Sequence, residues 1–146
     1  MRFPVQTKPR NMRLEHIGIA VANLEESEDL LEKLLGRGKY KRETVEEQSV
    51  TTSFFRGGSG EAKLELVAPE NQAGPIQKFL EKRGPGIHHL AFEVDDIAAE
   101  MRRLREDGFE LLQELPSEGA DNKLVCFLHP RSTNGVLVEI CQSKRE

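Results

Sequence analysis

The chain has 146 residues, about the length of one domain, so we expect a single domain rather than a multidomain protein. Its 21 Lys and Arg against 25 Asp and Glu leave a formal charge of −4, and the absence of a basic tract argues against a nucleic-acid-binding protein. An apolar fraction of 37% is sufficient for a core, so we expect a soluble globular domain.

The N-terminal segment predicts a loose arm. Residues 1–11 are polar and are interrupted by Pro4 and Pro9. No run in the chain approaches the roughly 18 to 20 apolar residues of a membrane span, and the first residues lack the apolar core of a signal peptide. We therefore expect a cytoplasmic protein with no membrane partner, whose single domain covers residues 12–142.

The next segment begins an internal repeat. Residues 14–21 (LEHIGIAV) align with residues 87–94 (IHHLAFEV) at an offset of 73, which places His16 over His89. Both runs alternate like strands, and each is followed by an N-cap residue, Asn23 or Asp96. Apolar residues at helical spacing come next in both copies, and a glycine marks the expected end of each helix.

Shorter alternating runs follow each predicted helix. They cover four segments: residues 50–55, 63–67, 123–128 and 136–141. The chain therefore predicts two copies of a module made of a strand, a helix and several further strands, over residues 12–69 and 86–142. A linker over residues 70–85 joins the modules and carries a short helix after Pro75.

The two cysteines predict no covalent or metal chemistry. Cys126 and Cys141 each lie in an apolar run, and no C-x-x-C spacing exists. We expect both to be small core residues rather than a disulfide or thiolate zinc ligands.

Strand alternation places two histidines and two glutamates on one face of the sheet. His16 and His89 point away from the apolar residues that should pack on the helices, and so do Glu65 and Glu139 in the closing strand of each module. Taken singly, each is common as an ordinary sheet histidine or a solvated edge carboxylate. Their shared parity and the repeat favour one site, a cup formed when the modules curl toward each other.

This set of side chains predicts a metal site. Two imidazoles and two carboxylates without a thiolate suit one divalent ion of the Co, Mn, Ni, Fe or Zn group, with no preference that the sequence reveals. A closed structural zinc site would more often use cysteine. An open site in a cup is typical of catalysis, because substrate oxygens can replace water on the ion.

These features together resemble the vicinal oxygen chelate superfamily of glyoxalases and bleomycin resistance proteins, and within it the methylmalonyl-CoA epimerase family. The resemblance covers about residues 13–141. Besides the first strand, the matching motifs are KLELVAP at residues 63–69, PIQKFLEKRG at 75–84, GIHHLAFEV at 86–94 and FLHPRST at 127–133. The resemblance implies an α+β fold of two tandem βαβββ modules that form an open, barrel-like cup, and usually a homodimer.

The resemblance also implies an activity and residue roles. It predicts an isomerase that interconverts the C2 epimers of methylmalonyl-CoA through a metal-stabilised enolate, with His16, Glu65, His89 and Glu139 as the metal ligands. The family's basic glutamate matches Glu47, and Glu139 is the implied acid/base for the other face of the enolate. Glu47 and its neighbour Glu46 also fit a solvated charged turn.

Several positions depart from the family pattern. Some relatives have Gln at the position of Glu65, and the usual glycines are replaced by Ser49, by the pair Asp121 and Asn122, and by Asn134. Because the first two replacements fall near the expected cavity mouth, the sequence does not fix which acyl group of the acyl-CoA the protein accepts. No motif indicates the groups that bind the CoA phosphates, for which Lys123 and Arg131 are candidates.

Two other functions fit the same scaffold. A lactoylglutathione lyase type of glyoxalase would use the same ligands, and a metal-free binding or resistance module would need none of them.

Overall fold

The computed structural model describes residues 11–144, which form one eight-stranded sheet and three α-helices. In chain order the elements are β1 (Arg13–Ala20), α1 (Leu24–Leu35), β2 (Lys41–Val45), β3 (Val50–Phe55), β4 (Lys63–Pro69), α2 (Pro75–Arg83), β5 (Gly86–Glu93), α3 (Ile97–Glu106), β6 (Ser117–Gly119), β7 (Lys123–Leu128) and β8 (Val138–Ser143). The predicted N-terminal arm lies outside the described residues, apart from Asn11. None of the helices within residues 11–144 is long and apolar enough to span a membrane.

The sheet topology confirms the predicted pair of βαβββ modules. The strand order is β2-β3-β4-β1-β5-β8-β7-β6, with β1 and β5 antiparallel at the centre. Within each module the first and last strands pair in parallel, β1 with β4 and β5 with β8. The two closing strands therefore flank the two histidine strands, which places residues from four strands side by side.

The helix boundaries follow the capping residues seen in the sequence. The side chains of Asn23 and Asp96 each accept a 3.0 Å hydrogen bond from the backbone of the first helical turn. Helix α1 ends at Gly36, whose φ of 75° is a left-handed conformation that favours glycine.

The described residues form three apolar clusters: one involves α2, and two lie between the other helices and the sheet. Of the latter two, one packs α1 on β4 and the other packs α3 on β7 and β8, as the alternation predicted; their most buried members are Phe55, Leu66, Met101, Cys126 and Ile140. Burial of each large side chain contributes about 1.5 to 3 kcal/mol. Cys126 and Cys141 are free and fully buried, which confirms their prediction as core residues.

The alternating runs alone missed the two edge strands, and one strand boundary differs from the sequence prediction. Strands β2 and β6, which no alternating run indicated, pair with β3 and β7. Strand β8 begins at Val138 rather than at Val136, because the Val136 N–H still donates to the Thr133 carbonyl in the preceding turn.

The central strand pair contains two irregularities. The pairing of β1 with β5 shifts between Leu14 and His16 and again between Gly18 and Ile19. The first shift leaves Glu15 without a partner residue in β5, and the second leaves His88 without one in β1. Such bulges re-aim side chains. Here they occur at repeat-related positions, immediately before each cup histidine.

Candidate active site

Four side chains from four strands meet in the cup. The Nε2 atoms of His16 and His89 lie 3.1 Å apart. Glu65 Oε1 is 3.2 Å from each of them, and Glu139 Oε1 is 3.8 Å from the first and 3.4 Å from the second. All four residues are buried, with 5 to 6% of their surface exposed. The structure thus brings together every residue of the predicted ligand set.

The spacing of these atoms suits one small cation. Ligand atoms bound at about 2.1 Å to a single ion lie about 3.0 Å apart at adjacent octahedral positions and about 3.4 Å apart in a tetrahedron. The separations from 3.1 to 3.8 Å fall at or slightly above these values. The donor set of imidazole and carboxylate also matches the preferences of first-row divalent metals. Within the predicted set, the ligand atoms of His16, His89 and Glu139 all lie within 4.8 Å of one another, which fits the metal ion that the sequence predicted, and Glu65 contacts both histidines.

Small residues make room for the imidazole rings. Gly18 lies opposite His89 in the paired strands, and Ala91 lies opposite His16. A Cβ atom at Gly18 would come within 2.5 Å of Nε2 of His89, far inside normal contact. Strand β1 therefore needs glycine here because the ring of His89 occupies the space of a side chain.

Electrostatics in the metal-free cluster favour a protonated His16. Burial opposes that charge, but hydrogen bonds to Glu15 and Glu65 and the nearby carboxylates raise the pKa of His16 to about 10. Burial likewise opposes ionisation of Glu65, but hydrogen bonds with both histidines lower its pKa to about 2. Burial raises the pKa of Glu139 above its ordinary value, with a smaller contribution from the charge of Glu65.

Glu15 holds the far side of the His16 ring. Its Oε1 lies 2.6 Å from Nδ1 of His16, while its Oε2 accepts a 2.7 Å hydrogen bond from Lys63 and lies 3.7 Å from Lys123. Burial opposes the charge of Glu15, but the hydrogen bonds from His16 and Lys63 lower its pKa to about 2. A carboxylate at Nδ1 fixes which ring nitrogen faces the cup.

His89 has a neutral partner where His16 has an anionic one. Nδ1 of His88 lies 3.0 Å from Nδ1 of His89. Burial and then the positive charge of His89 lower the pKa of His88 to about 4. The repeat thus provides two similar histidines with different outer contacts.

A cavity of about 250 Å³ opens above the cluster. Its wall is mostly apolar and comprises Val50, Phe54, Val67, Pro75, Ile76, Leu112, Ala120, Val125, Phe127 and Leu137. Phe54 meets the ring of His16 edge-on at 6.2 Å between centroids, and Phe127 meets His89 in the same way at 6.3 Å. These walls would keep water from a bound substrate.

Glu47 lines this cavity from a different element. It lies in a short 3-10 turn, Glu46–Gln48, between β2 and β3, and it is exposed. Glu46 is also exposed but is not among the cavity-lining residues, so the structure separates the two neighbours in the way the sequence prediction required.

The glycine replacements noted in the sequence all occupy left-handed backbone. Ser49 has φ of 57°, Asp121 of 60°, Asn122 of 58° and Asn134 of 57°. Asn and Asp tolerate this region better than Ser does. Ser49 ends the turn that carries Glu47. Its backbone keeps the left-handed conformation that a glycine would adopt more easily at this position.

Sequence reasoning missed four residues of the site: Glu15, His88, Phe54 and Phe127. Alternation assigned Glu15 and His88 to the opposite face, and the bulges reverse that assignment. Phe54 and Phe127 are separated by the same offset of 73 as the histidines, so extending the alignment would have identified them.

Comparison with known proteins places these features in a family. The sequence profile of the Glyoxalase/Bleomycin resistance protein/Dioxygenase superfamily matches residues 15–127. The chain is 42% identical to the uncharacterized protein YqjC of Bacillus subtilis, over 90% of this chain and 93% of that one. It is 40% identical to the mitochondrial methylmalonyl-CoA epimerase of Dictyostelium discoideum, over 88% of this chain and 76% of that one.

A solved structure shows the same fold. It is Streptomyces coelicolor methylmalonyl-CoA epimerase in complex with 2-nitronate-propionyl-CoA, with a TM-score of 0.85 and 31% identity, covering 91% of this chain and 98% of that one.

Proposed function

The chain belongs to the Glyoxalase/Bleomycin resistance protein/Dioxygenase superfamily, and on that premise we propose that it is a metal-dependent methylmalonyl-CoA epimerase. One observation carries the proposal: two histidines and two glutamates converge at the base of an apolar cavity that Glu47 lines from its own turn. Relatives with this activity align over most of the chain.

The four converging side chains are the proposed metal ligands: His16, Glu65, His89 and Glu139. A divalent ion bound there supplies Lewis-acid stabilisation of the charge that develops on the thioester oxygen when C2 loses its proton.

Two carboxylates move the proton. Inversion at C2 requires removal from one face and return to the other, most simply by two acid/base groups. Glu47 takes the proton at one face, since it lines the cavity without contacting the cluster residues. Glu139 serves the opposite face from the base of the cup, where its carboxylate lies 3.8 Å from His16 and 3.4 Å from His89.

The apolar wall has a separate role. It excludes water from the reacting carbon, so a proton removed by Glu47 is not lost to solvent and the charges near C2 act in a low-dielectric environment. The proposal further includes a single domain over residues 12–142, a homodimer and a cytoplasmic location.

Assays of the two resolved epimers test the function. Purified protein, loaded with Co²⁺ or Mn²⁺, should convert either C2 epimer of methylmalonyl-CoA to the same equilibrium mixture, followed by circular dichroism. A glutathione hemithioacetal assay, run in parallel, tests the glyoxalase alternative and should show no turnover. Turnover of the hemithioacetal without epimerisation would overturn the proposal. Elemental analysis that finds no bound metal after loading would favour the metal-free binding module.

A further inference from the structure

A second cavity, of about 360 Å³, lies beside the candidate active site along α2. Pro75, His88 and Leu137 line both cavities, so the two are adjacent and share a wall. The second cavity is distinguished by three cations from α2: Lys78, Lys82 and Arg83. We call it the α2 cleft.

Among the residues that the structure describes, the three cations of the α2 cleft have no carboxylate partner. Within residues 11–144, no carboxylate oxygen lies within 4.0 Å of the side-chain nitrogens of Lys78, Lys82 or Arg83, although the protein as a whole is acidic. Glu81 also lines the cleft, but its carboxylate accepts a hydrogen bond from Gln77. The positive charge of the cleft is therefore available to an anionic ligand.

The cations suggested by the sequence are already neutralised. Lys123 is buried, 3.2 Å from Glu93 and hydrogen-bonded to Ser143. Arg131 donates two hydrogen bonds to Glu110, at 2.9 and 2.8 Å. Each of these two residues therefore already has a carboxylate partner, in contrast to the cations of the α2 cleft, and their role at the CoA phosphates stays a prediction.

A row of rings connects the cluster to the cleft. The rings of His89 and His88 are 5.2 Å apart between centroids, and His88 and Phe79 are 5.0 Å apart. The Arg83 guanidinium lies 5.6 Å from the centre of the Phe79 ring. These contacts form a continuous row from His89 in the proposed reaction site to Arg83 in the α2 cleft.

We infer that the α2 cleft binds the phosphate groups of the acyl-CoA substrate through Lys78, Lys82 and Arg83. The inference rests on the proposed function, which supplies a ligand with a reactive thioester at one end and phosphates at the other. Lys and Arg side chains suit phosphate oxygens by charge and by hydrogen-bond geometry. A purely structural role, in which the last-turn Lys82 and Arg83 only oppose the helix dipole, would not require an adjoining cavity.

Kinetics with two thioesters test this inference. In Lys78→Gln/Lys82→Gln, the KM for methylmalonyl-CoA should rise at least about tenfold while kcat stays near the unsubstituted value, because phosphates are remote from C2. The KM for methylmalonyl-pantetheine, which lacks the phosphates, should not change. Arg83 is left intact because it packs on Phe79.

Calorimetry with CoA itself provides a test that needs no turnover. The double variant should bind CoA at least about tenfold more weakly, and the unsubstituted protein should lose affinity for CoA as salt is added. Lys33→Gln is the matched control, since Lys33 is an exposed last-turn lysine of α1 that also lacks a carboxylate partner among the described residues. It should bind CoA normally.

The outcomes separate this inference from the proposed function. The double variant and the control could show equal CoA affinity and equal KM while both thioesters are still epimerised. This result would refute phosphate binding in the α2 cleft but would leave the proposed epimerase function supported. Absence of epimerisation of either thioester by the unsubstituted protein would overturn the function, while weaker CoA binding in the double variant alone would still support the cleft. Circular dichroism spectra and melting temperatures verify that each variant is folded.

Discussion

Replacement of Gly18 by alanine should weaken metal binding at the proposed site without removing a proposed ligand. The added methyl group would lie within 2.5 Å of Nε2 of His89, whereas ordinary Cβ contacts are 3.4 to 4 Å. The nearest ring atom, Cε1, would be only 2.0 Å away, so the ring must retreat by about 1.4 Å, into a site where overpacking typically costs about 1 to 3 kcal/mol.

The His89 ring has little space into which it can move. His89 is buried, and its ring is flanked by His16, His88 and Phe127, with centroids 5.2 to 6.3 Å away. Metal–ligand distances tolerate deviations of only about 0.2 Å, so we expect the affinity for Co²⁺ to fall at least about tenfold.

Titration with Co²⁺, followed by visible absorbance, measures this effect, and urea unfolding of the metal-free protein measures the cost in stability. Gly86→Ala is the control, because an added methyl at this site in β5 meets nothing within 4 Å and its φ is not left-handed. Full Co²⁺ affinity in Gly18→Ala would refute the placement of His89 in the metal site.

Three further predictions concern groups around the cluster. Glu15→Gln should lower Co²⁺ affinity about 10- to 100-fold, because the His16 ring loses the carboxylate that holds it. Glu93→Gln is the control and should keep full affinity, since it removes another carboxylate near Lys123 that does not contact His16. Equal effects of the two variants would show that Glu15 acts only through the lysine. Glu47→Gln should keep its metal and bind substrate while epimerisation falls about 10²-fold or more, and near-normal turnover of both epimers would move the base to another residue. In metal-free protein, the raised pKa of His16 should contribute its full stabilisation of the folded state below about pH 6.5 and lose it as pH rises toward about 10. The lowered pKa of Glu15 should contribute its full stabilisation above about pH 4.5 and lose it as pH falls toward about 2. Urea unfolding across this range, with His16→Gln as the reference, checks both limbs, and an alkaline limb that persists in His16→Gln would contradict the assignment.

The repeat made most of the fold predictable. An offset of 73 aligned His16 with His89, and period-2 alternation placed Glu65 and Glu139 on the same face as the histidines. These signals are strong because a strand with one buried face must alternate, and because duplication repeats the same constraint.

The parts that escaped prediction depend on pairing rather than on hydrophobicity. Strand β2 has the sequence KRETV, which does not alternate between apolar and polar residues, and it forms a strand through its pairing with β3. An ion pair with a buried carboxylate also holds this strand, since the exposed Arg42 lies 2.6 Å from the buried Glu28 of α1. The short edge strand β6 has no apolar pattern either.

Side chains at bulges could not be placed by alternation. Period 2 assigns Glu15 and His88 to the helical face, and only the register of β1 against β5 shows that each strand carries an extra residue at that point. Glu47 was identified through the resemblance, because a charged turn on its own is more often solvated surface.

Proton exchange at C2 of methylmalonyl-CoA in deuterated water tests the central claim most directly, because it observes removal of the proton itself. Metal-loaded protein should incorporate deuterium at C2, lose that activity when a chelator strips the metal and regain it when Co²⁺ is restored. Exchange that continues at the same rate after elemental analysis shows the metal to be gone would contradict the account.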